Sequence, residues 1–307
     1  MNINHILQLH QQIIIKVTFP KRLLDLGIVP GVKPHLKVYT LPGQNKSTVM
    51  QGLDGLAERC KQFYEAGCKF AKWRAPLQID LTNGQPSDLV INSNMRDLAR
   101  YALICQSEGL VPIIEPDVVL DGDHNLEAAI AINVKIHSTL FKECLEHGVY
   151  LEGVILKTNM VNPGKDCEIE YTLEEIGEAN VVALTRYLPV ACHGINYLSG
   201  GQDFNEAIQK LNAITKAAKK KFDNSPPWNI SYSWSSAIQL PLLTCLGSNE
   251  EGLISNNSIE WMVKPFKEMM LKYLPQAVGG YMDEEQWRDS YEHWGLYMNC
   301  PELRREF

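Results

Sequence analysis

The sequence predicts an α/β fold, a (β/α)8 barrel of the TIM type, on three observations. Short apolar runs alternate with longer segments of helical period through the middle of the chain, the pattern of parallel strands joined by crossover helices. Polar side chains stand at the C-terminal ends of run after run, at Lys72 and Arg74, Glu115, Lys157 and Ser199, where barrels carry their functional groups. No G-x-G-x-x-G follows a first strand, so the competing open, doubly wound dinucleotide fold lacks its fingerprint.

Taken in order, "MQGLDGLAERCKQFYEAG" places Leu53, Leu56, Ala57, Cys60 and Tyr64 on one helical stripe and stops at Gly67, a good C-terminal signal. "KFAKWR" follows as a strand. "NMRDLARYALICQSEG" repeats the helical stripe with Met95, Leu98, Ala99, Ala102 and Leu103, closed again by a glycine. "LVPIIEP" reads as a strand stopped by Pro116, since proline lacks the N–H a ladder needs. "NLEAAIAINVKIHSTLFKECLEHG" is a long helix, "LEGVILK" a buried strand, "TLEEIGEANVVALTRYLP" a helix and "GINYLSGG" a strand. A helix from about Asn205 to Lys221 precedes a last strand, "NISYSW".

Composition bounds the function. The 307 residues are 45% hydrophobic and 21% charged with a formal net charge of −7, the balance of a globular protein with a full core. A nucleic-acid or anionic-membrane binder would carry a basic footprint, so neither partner is expected. The basic run from Lys216 to Lys221 reads as a solvated helix face. No apolar stretch is long enough to span a bilayer, and the first twenty residues lack the order of a secretory signal. The cysteines (Cys60, Cys68, Cys105, Cys144, Cys167, Cys192, Cys245, Cys300) form no C-x-x-C pair and no metal-ligand spacing. They read as reduced core thiols in a cytoplasmic compartment.

Strand phase concentrates the polar residues. Side chains alternate between faces, so Gly153, Ile155 and Lys157 share one face, as do Phe70, Lys72 and Arg74, and Val111, Ile113, Glu115 and Asp117. Val154 and Leu156 turn toward the helices. A lysine ending so apolar a run is costly to keep charged, and a neighbouring cation lowers its pKa further. Such an amine is a nucleophile toward carbonyls and forms Schiff bases. Glu115 supplies a carboxylic acid to move the protons of imine formation. The "SGG" loop, Ser199 to Gly201, offers backbone N–H groups to a phosphate. Read singly, a strand-end lysine is a snorkelling side chain and "SGG" an ordinary tight loop.

The motifs "QGLDGLAERC", "FAKWR", "VPIIEPDV", "DGDHNLE", "YLEGVILKTNMVNPG" and "LSGGQ" occur in this order, and together they resemble class I fructose-1,6-bisphosphate aldolase from about His10 to about Gly247. The resemblance implies a (β/α)8 barrel, usually tetrameric, that uses no metal or other cofactor. It implies reversible cleavage of fructose 1,6-bisphosphate to dihydroxyacetone phosphate and glyceraldehyde 3-phosphate in glycolysis. By position, it implies that Lys157 is the Schiff-base lysine, Lys72 the lysine assisting proton transfer and Glu115 the general acid/base. Asp117 takes the place of a second glutamate, one methylene shorter. Arg74 and Lys33 fall at phosphate contacts, and Ser199, Gly200 and Gly201 at the loop on the dihydroxyacetone side.

The chain also departs from the family pattern. In "WNISYSWSSAIQ" a phosphate-binding arginine is replaced by Ser236, and Thr158 replaces the proline after the nucleophile. The resemblance begins at the family's second strand, so the first βα unit, with an aspartate used in cleavage, is expected to be missing. Residues 1–280 are expected to form the barrel-like unit and 281–307 a divergent tail, ending on Phe307 where the family has a functional tyrosine. Two alternatives follow. One is a catalytically impaired or inactive relative that binds a protein or a sugar phosphate. The other is a metal-dependent aldolase, disfavoured because His5, His10, His137 and His147 read as surface residues outside any ligand motif.

Overall fold

The computed structural model describes residues 18–44 and 47–239. A short helix α1 (Phe19–Asp25) leads to β1 (Gly31–Val32), then β2 (Lys37–Thr40), β3 (Thr48–Gln51) and α2 (Leu56–Glu65). Strand–helix units follow: β4 (Phe70–Leu77), α3 (Asp88–Ser107), β5 (Val111–Val118), α4 (Leu126–Glu146), β6 (Ile155–Thr158), α5 (Leu173–Tyr187), β7 (Gly194–Tyr197), α6 (Phe204–Lys221) and β8 (Asn229–Tyr232). Among the described residues, six strands form one parallel sheet in the order β1–β4–β5–β6–β7–β8, and β2 and β3 pair antiparallel. The parallel α/β architecture is therefore as expected, with β1 and β8 as the edges of the described sheet.

Local chemistry sets the helix ends. Ser87 and Asn125 accept from the N–H groups of Val90 and Ala128 to cap α3 and α4. Thr172 and Glu175 form a reciprocal capping box at α5, and Asp203 accepts from Asn205 and Glu206 at α6. Each cap satisfies N–H groups that a helix start leaves without an internal partner. Ala71, Trp73, Ala75, Ile114, Leu156, Ile195 and Tyr197 lie buried in the apolar layer between sheet and helices. No helix among the described residues is long and apolar enough to cross a membrane.

Several elements differ from expectation. Pro116 does not stop its strand, which runs on to Val118. Val111 and Val119 give their N–H groups to β4-side carbonyls, while the N–H of Val118 goes to Asn159 on the β6 side. Even-numbered positions therefore face β6, whose pairing reaches only to Ile114, and Pro116 forfeits no bond to β4. "LEGVILK" is not one strand. Leu151–Gly153 is a 3-10 turn, closed by Gly153 and Val154 donating back to Tyr150 and Leu151, so Gly153 stands outside β6.

The first expected helix begins only at Leu56, because Gly52 and Gly55 take positive φ and hold Leu53 in a turn. Ala57 and Tyr64 consequently face solvent. The hairpin of β2 and β3 was not anticipated. His137 is not a surface residue but fully buried in α4, because it finds hydrogen-bond partners inside. His147 is half-buried, and His5 and His10 lie outside the described residues. Cys60, Cys68, Cys105, Cys144 and Cys192 are buried free thiols and Cys167 is partly exposed. Cys245, Cys300, the 281–307 tail and Phe307 lie outside the described residues. Lys216, Lys220 and Lys221 are exposed, and Lys220 pairs with Glu174 and Glu178 of α5.

Candidate active site

The register of the sheet builds the site. Arg74 lies opposite Glu115, and Ile113 opposite Ile155, which two residues further on sets Glu115 beside Lys157. Lys157 pairs with Asn196, and Asn196 with Ser231. Arg74, Glu115, Lys157, Asn196 and Ser231 thus form one row across five adjacent strands, facing away from the helices. Lys72 stands one step earlier on the same face, opposite Ile113.

Two ion-paired groups occupy this face. The Glu115 carboxylate, only 3% exposed, lies 2.5 Å from Lys72 Nζ through Oε2 and 3.4 Å from Lys157 Nζ through Oε1. The Asp117 carboxylate, equally buried, receives the Arg74 Nε–H at 2.6 Å. Burying a carboxylate without a partner is prohibitive, and each here has at least one cation. Three cations against two carboxylates leave one positive charge in excess, a field that favours an anionic ligand.

The electrostatics suit an amine nucleophile. Burial holds the Lys157 ammonium below the ordinary lysine range and Lys72 adds to the effect, while Glu115 opposes it. Deprotonation exposes the nitrogen lone pair that attacks a carbonyl carbon. Burial pushes the Asp117 carboxyl up, against the pull of Arg74. The Arg74 side chain is 45% exposed with its Nε engaged, so its charge reaches the open side.

The Ser199–Gly201 loop follows β7 and is fastened to β6 by the Leu198 N–H donating to the Thr158 carbonyl at 2.9 Å. Gly200 and Gly201 adopt φ of +60° and +85°, a conformation glycine takes without strain. Among the described residues, neither gives its N–H to a backbone carbonyl. Lys33 is exposed one residue past β1, and the pairing of Val32 with Ala71 brings it beside Lys72. Its charge is felt at His35, whose pKa is lowered by burial first and then by Lys33 and Lys72.

Of the residues named from the sequence, Lys72, Glu115 and Lys157 meet in one cluster and Arg74 and Asp117 in a second beside it. Lys33 and the glycine loop flank these through register. Ser236 opens a helical turn beyond β8. The sequence reading missed Asn196 and Ser231. The same alternation count, applied to "GINYLSGG" and "NISYSW", places them in the row. Among the described residues, no three His, Cys, Asp or Glu side chains group as a metal site would require.

Comparison with known proteins gives consistent matches. The family model for fructose-bisphosphate aldolase class-I matches residues 5–283. A fructose-bisphosphate aldolase from Dictyostelium discoideum is 44% identical over 226 residues, covering 74% of this chain and 62% of the relative. One from Echinococcus multilocularis is 46% identical over 221 residues, covering 72% and 59%. The chain therefore spans about three-fifths of the length of these curated relatives. A solved fructose-bisphosphate aldolase from Plasmodium falciparum, in complex with TRAP and a small-molecule inhibitor, superposes with a TM-score of 0.77 at 36% identity, covering 87% of this chain and 74% of that one.

Proposed function

This chain belongs to the class I fructose-bisphosphate aldolase family, and from that premise we propose that it forms a Schiff base between Lys157 and a phosphorylated ketone. The reading extends to reversible cleavage of fructose 1,6-bisphosphate to dihydroxyacetone phosphate and glyceraldehyde 3-phosphate, as a glycolytic lyase. The observation that carries it is the pair of ammonium groups bracketing the buried Glu115 carboxylate.

In this reading the Lys157 ammonium passes a proton to Glu115, 3.4 Å away. The neutral amine attacks the ketone carbon, and the proton its nitrogen gives up goes to the carbonyl oxygen. Glu115, protonated, then gives a proton to the departing hydroxyl, and water leaves as the imine forms. Lys72, 2.5 Å from Glu115, returns the carboxylate to its working state and helps keep Lys157 partly neutral. Asp117 holds Arg74 through Nε, which orients the guanidinium toward one phosphate. Lys33 serves that end too, and Ser199, Gly200 and Gly201 cradle the other phosphate. Charge-assisted contacts of this kind contribute about 1.5–3 kcal/mol each. With Ser236 in place of a family arginine, one such contact is lost.

The six described strands are then an arc of a (β/α)8 barrel, within a barrel-like unit over residues 1–280. Cytosolic action and a homotetramer follow by family likeness, an Arabidopsis thaliana relative being described as cytosolic. A second reading, an impaired relative that still binds sugar phosphates, is favoured by Ser236. Incubation with dihydroxyacetone phosphate and borohydride separates them from a wrong assignment. A covalent adduct is expected on the peptide containing Lys157, and its absence in folded protein sinks the Schiff-base reading. An adduct without fructose 1,6-bisphosphate cleavage selects the impaired relative.

A further inference from the structure

Thr158 follows Lys157 in β6, so its side chain points to the opposite face, toward the helices. There it is buried with His137 of α4 and Tyr187 of α5. His137 Nδ1 lies 2.8 Å from the Asn133 carbonyl, an acceptor only, so Nδ1 carries the proton. Burial pushes the imidazole down to about 4, so the ring is neutral and Nε2 bare. Thr158 Oγ1 lies 2.8 Å from Nε2 and 3.3 Å from the Asn159 carbonyl, and the shorter contact to the bare ring nitrogen makes it the donor to His137. Burial pushes the Tyr187 phenol up, and the Thr158 side chain beside it acts in the opposite direction. The Tyr187 ring stacks on His137 with centroids 4.3 Å apart.

We propose that Thr158, His137 and Tyr187 are positioning residues for Lys157, a chain of one hydrogen bond and one ring stack on the helix side of β6 that fixes the backbone from which the amine projects. Three polar groups are unnecessary to fill an apolar interface, and each would be costly if unpaired. What they add is direction. The chain joins α4, β6 and α5, while the Thr158 carbonyl accepts from Leu198 of the β7 side and Asn159 Oδ1 from Val118 of β5. The end of β6 is held from three sides, and Lys157 Nζ with it, 3.4 Å from Glu115. A displacement of about 1 Å at a reacting group costs on the order of a hundredfold in rate.

The choice of lysine rests on the Schiff-base reading, so the test is made independent of substrate. Reductive methylation with formaldehyde and cyanoborohydride, followed on the Lys157 peptide across pH, reports the amine in its field of Lys72, Glu115 and Asp117. Thr158→Val, which keeps shape and removes the hydroxyl, is expected to raise the labelling midpoint by about one unit toward ordinary lysine. Thr158→Ser, which keeps the hydroxyl, holds the wild-type profile. Tyr187→Phe shifts it the same way by less, and decides the matter if the valine variant does not fold. A Lys157 profile unchanged in Thr158→Val and Tyr187→Phe, with only the unfolding temperature lowered, reduces the network to packing and overturns the proposal. So does Thr158→Ser shifting as far as Thr158→Val. Wild-type protein that labels normally but forms no dihydroxyacetone phosphate adduct overturns the aldolase reading alone.

Discussion

On the helix side of β4 to β7, Trp73, Ile114, Leu156 and Ile195 are buried among apolar neighbours. The other side of the same strands carries Arg74, Glu115, Lys157 and Asn196. One backbone thus supports two kinds of burial. On the first side, removal from water is favourable, at about 25 cal/mol per Å² of apolar surface. On the second, it penalises charge and is tolerated because each carboxylate has a cation beside it. The difference teaches where reactivity comes from. Lys157 is held below the ordinary lysine range by the same burial that, one residue earlier, makes Leu156 stabilising.

The sharpest break of this comparison is Lys157→Met. Loss of the imine adduct by more than about a thousandfold is expected if Lys157 is the proposed nucleophile. The unfolding free energy should change little, because Glu115 keeps Lys72 at 2.5 Å and is not left as an unpaired buried charge. A thousandfold loss of adduct accompanied by unfolding would mean that the two sides are not separable. Leu156→Ala, its neighbour, is expected to do the reverse. It should cost about 2–5 kcal/mol of stability in denaturant titration and leave the adduct intact in whatever protein remains folded.

A third test probes the helix side by pH. The His137 imidazole is near 4 in the folded protein against an ordinary 6.5, so the unfolded chain takes up the proton first. Its contribution is fully present above pH 6.5 and is lost as pH falls toward 4. The window is worth roughly 3 kcal/mol. Stability curves of wild type and His137→Asn should converge as the solution is acidified through it. Parallel curves would show that His137 does not titrate there. The smallest effect is expected at Lys220→Ala. Its pairs with Glu174 and Glu178 are solvent-exposed, and such pairs are weak and screened by salt, so the thermal midpoint should not move measurably.

Much of the site could be read from residue order. Alternation placed Lys72, Arg74, Glu115, Asp117 and Lys157 on common faces because a strand has a strict period of two, and the parallel register then aligned neighbouring strands. Helix existence was legible from the apolar stripes, but the start of α3 at Asp88, capped by Ser87, lies six residues before the expected "NMRDLARY" segment. Pro116 was misread because whether a missing N–H matters depends on which neighbour that position faces. Gly153 was misread because a one-turn 3-10 segment leaves an apolar run looking continuous.

His137 shows the limit most plainly. Its sequence neighbours in α4 supply only the Asn133 carbonyl, and nothing along that helix provides the Thr158 hydroxyl 21 positions away. The sequence by itself determined the alternation of strands and helices from "KFAKWR" to "NISYSW" and the shared face of Lys72, Arg74, Glu115 and Lys157, because those follow from local periodicity. Only the tertiary structure decided which buried polar groups meet, and hence which charges are paired and which ammonium is held below its ordinary range. Those outcomes depend on distances between segments far apart in the chain, where desolvation and Coulomb energy change steeply over a few ångströms.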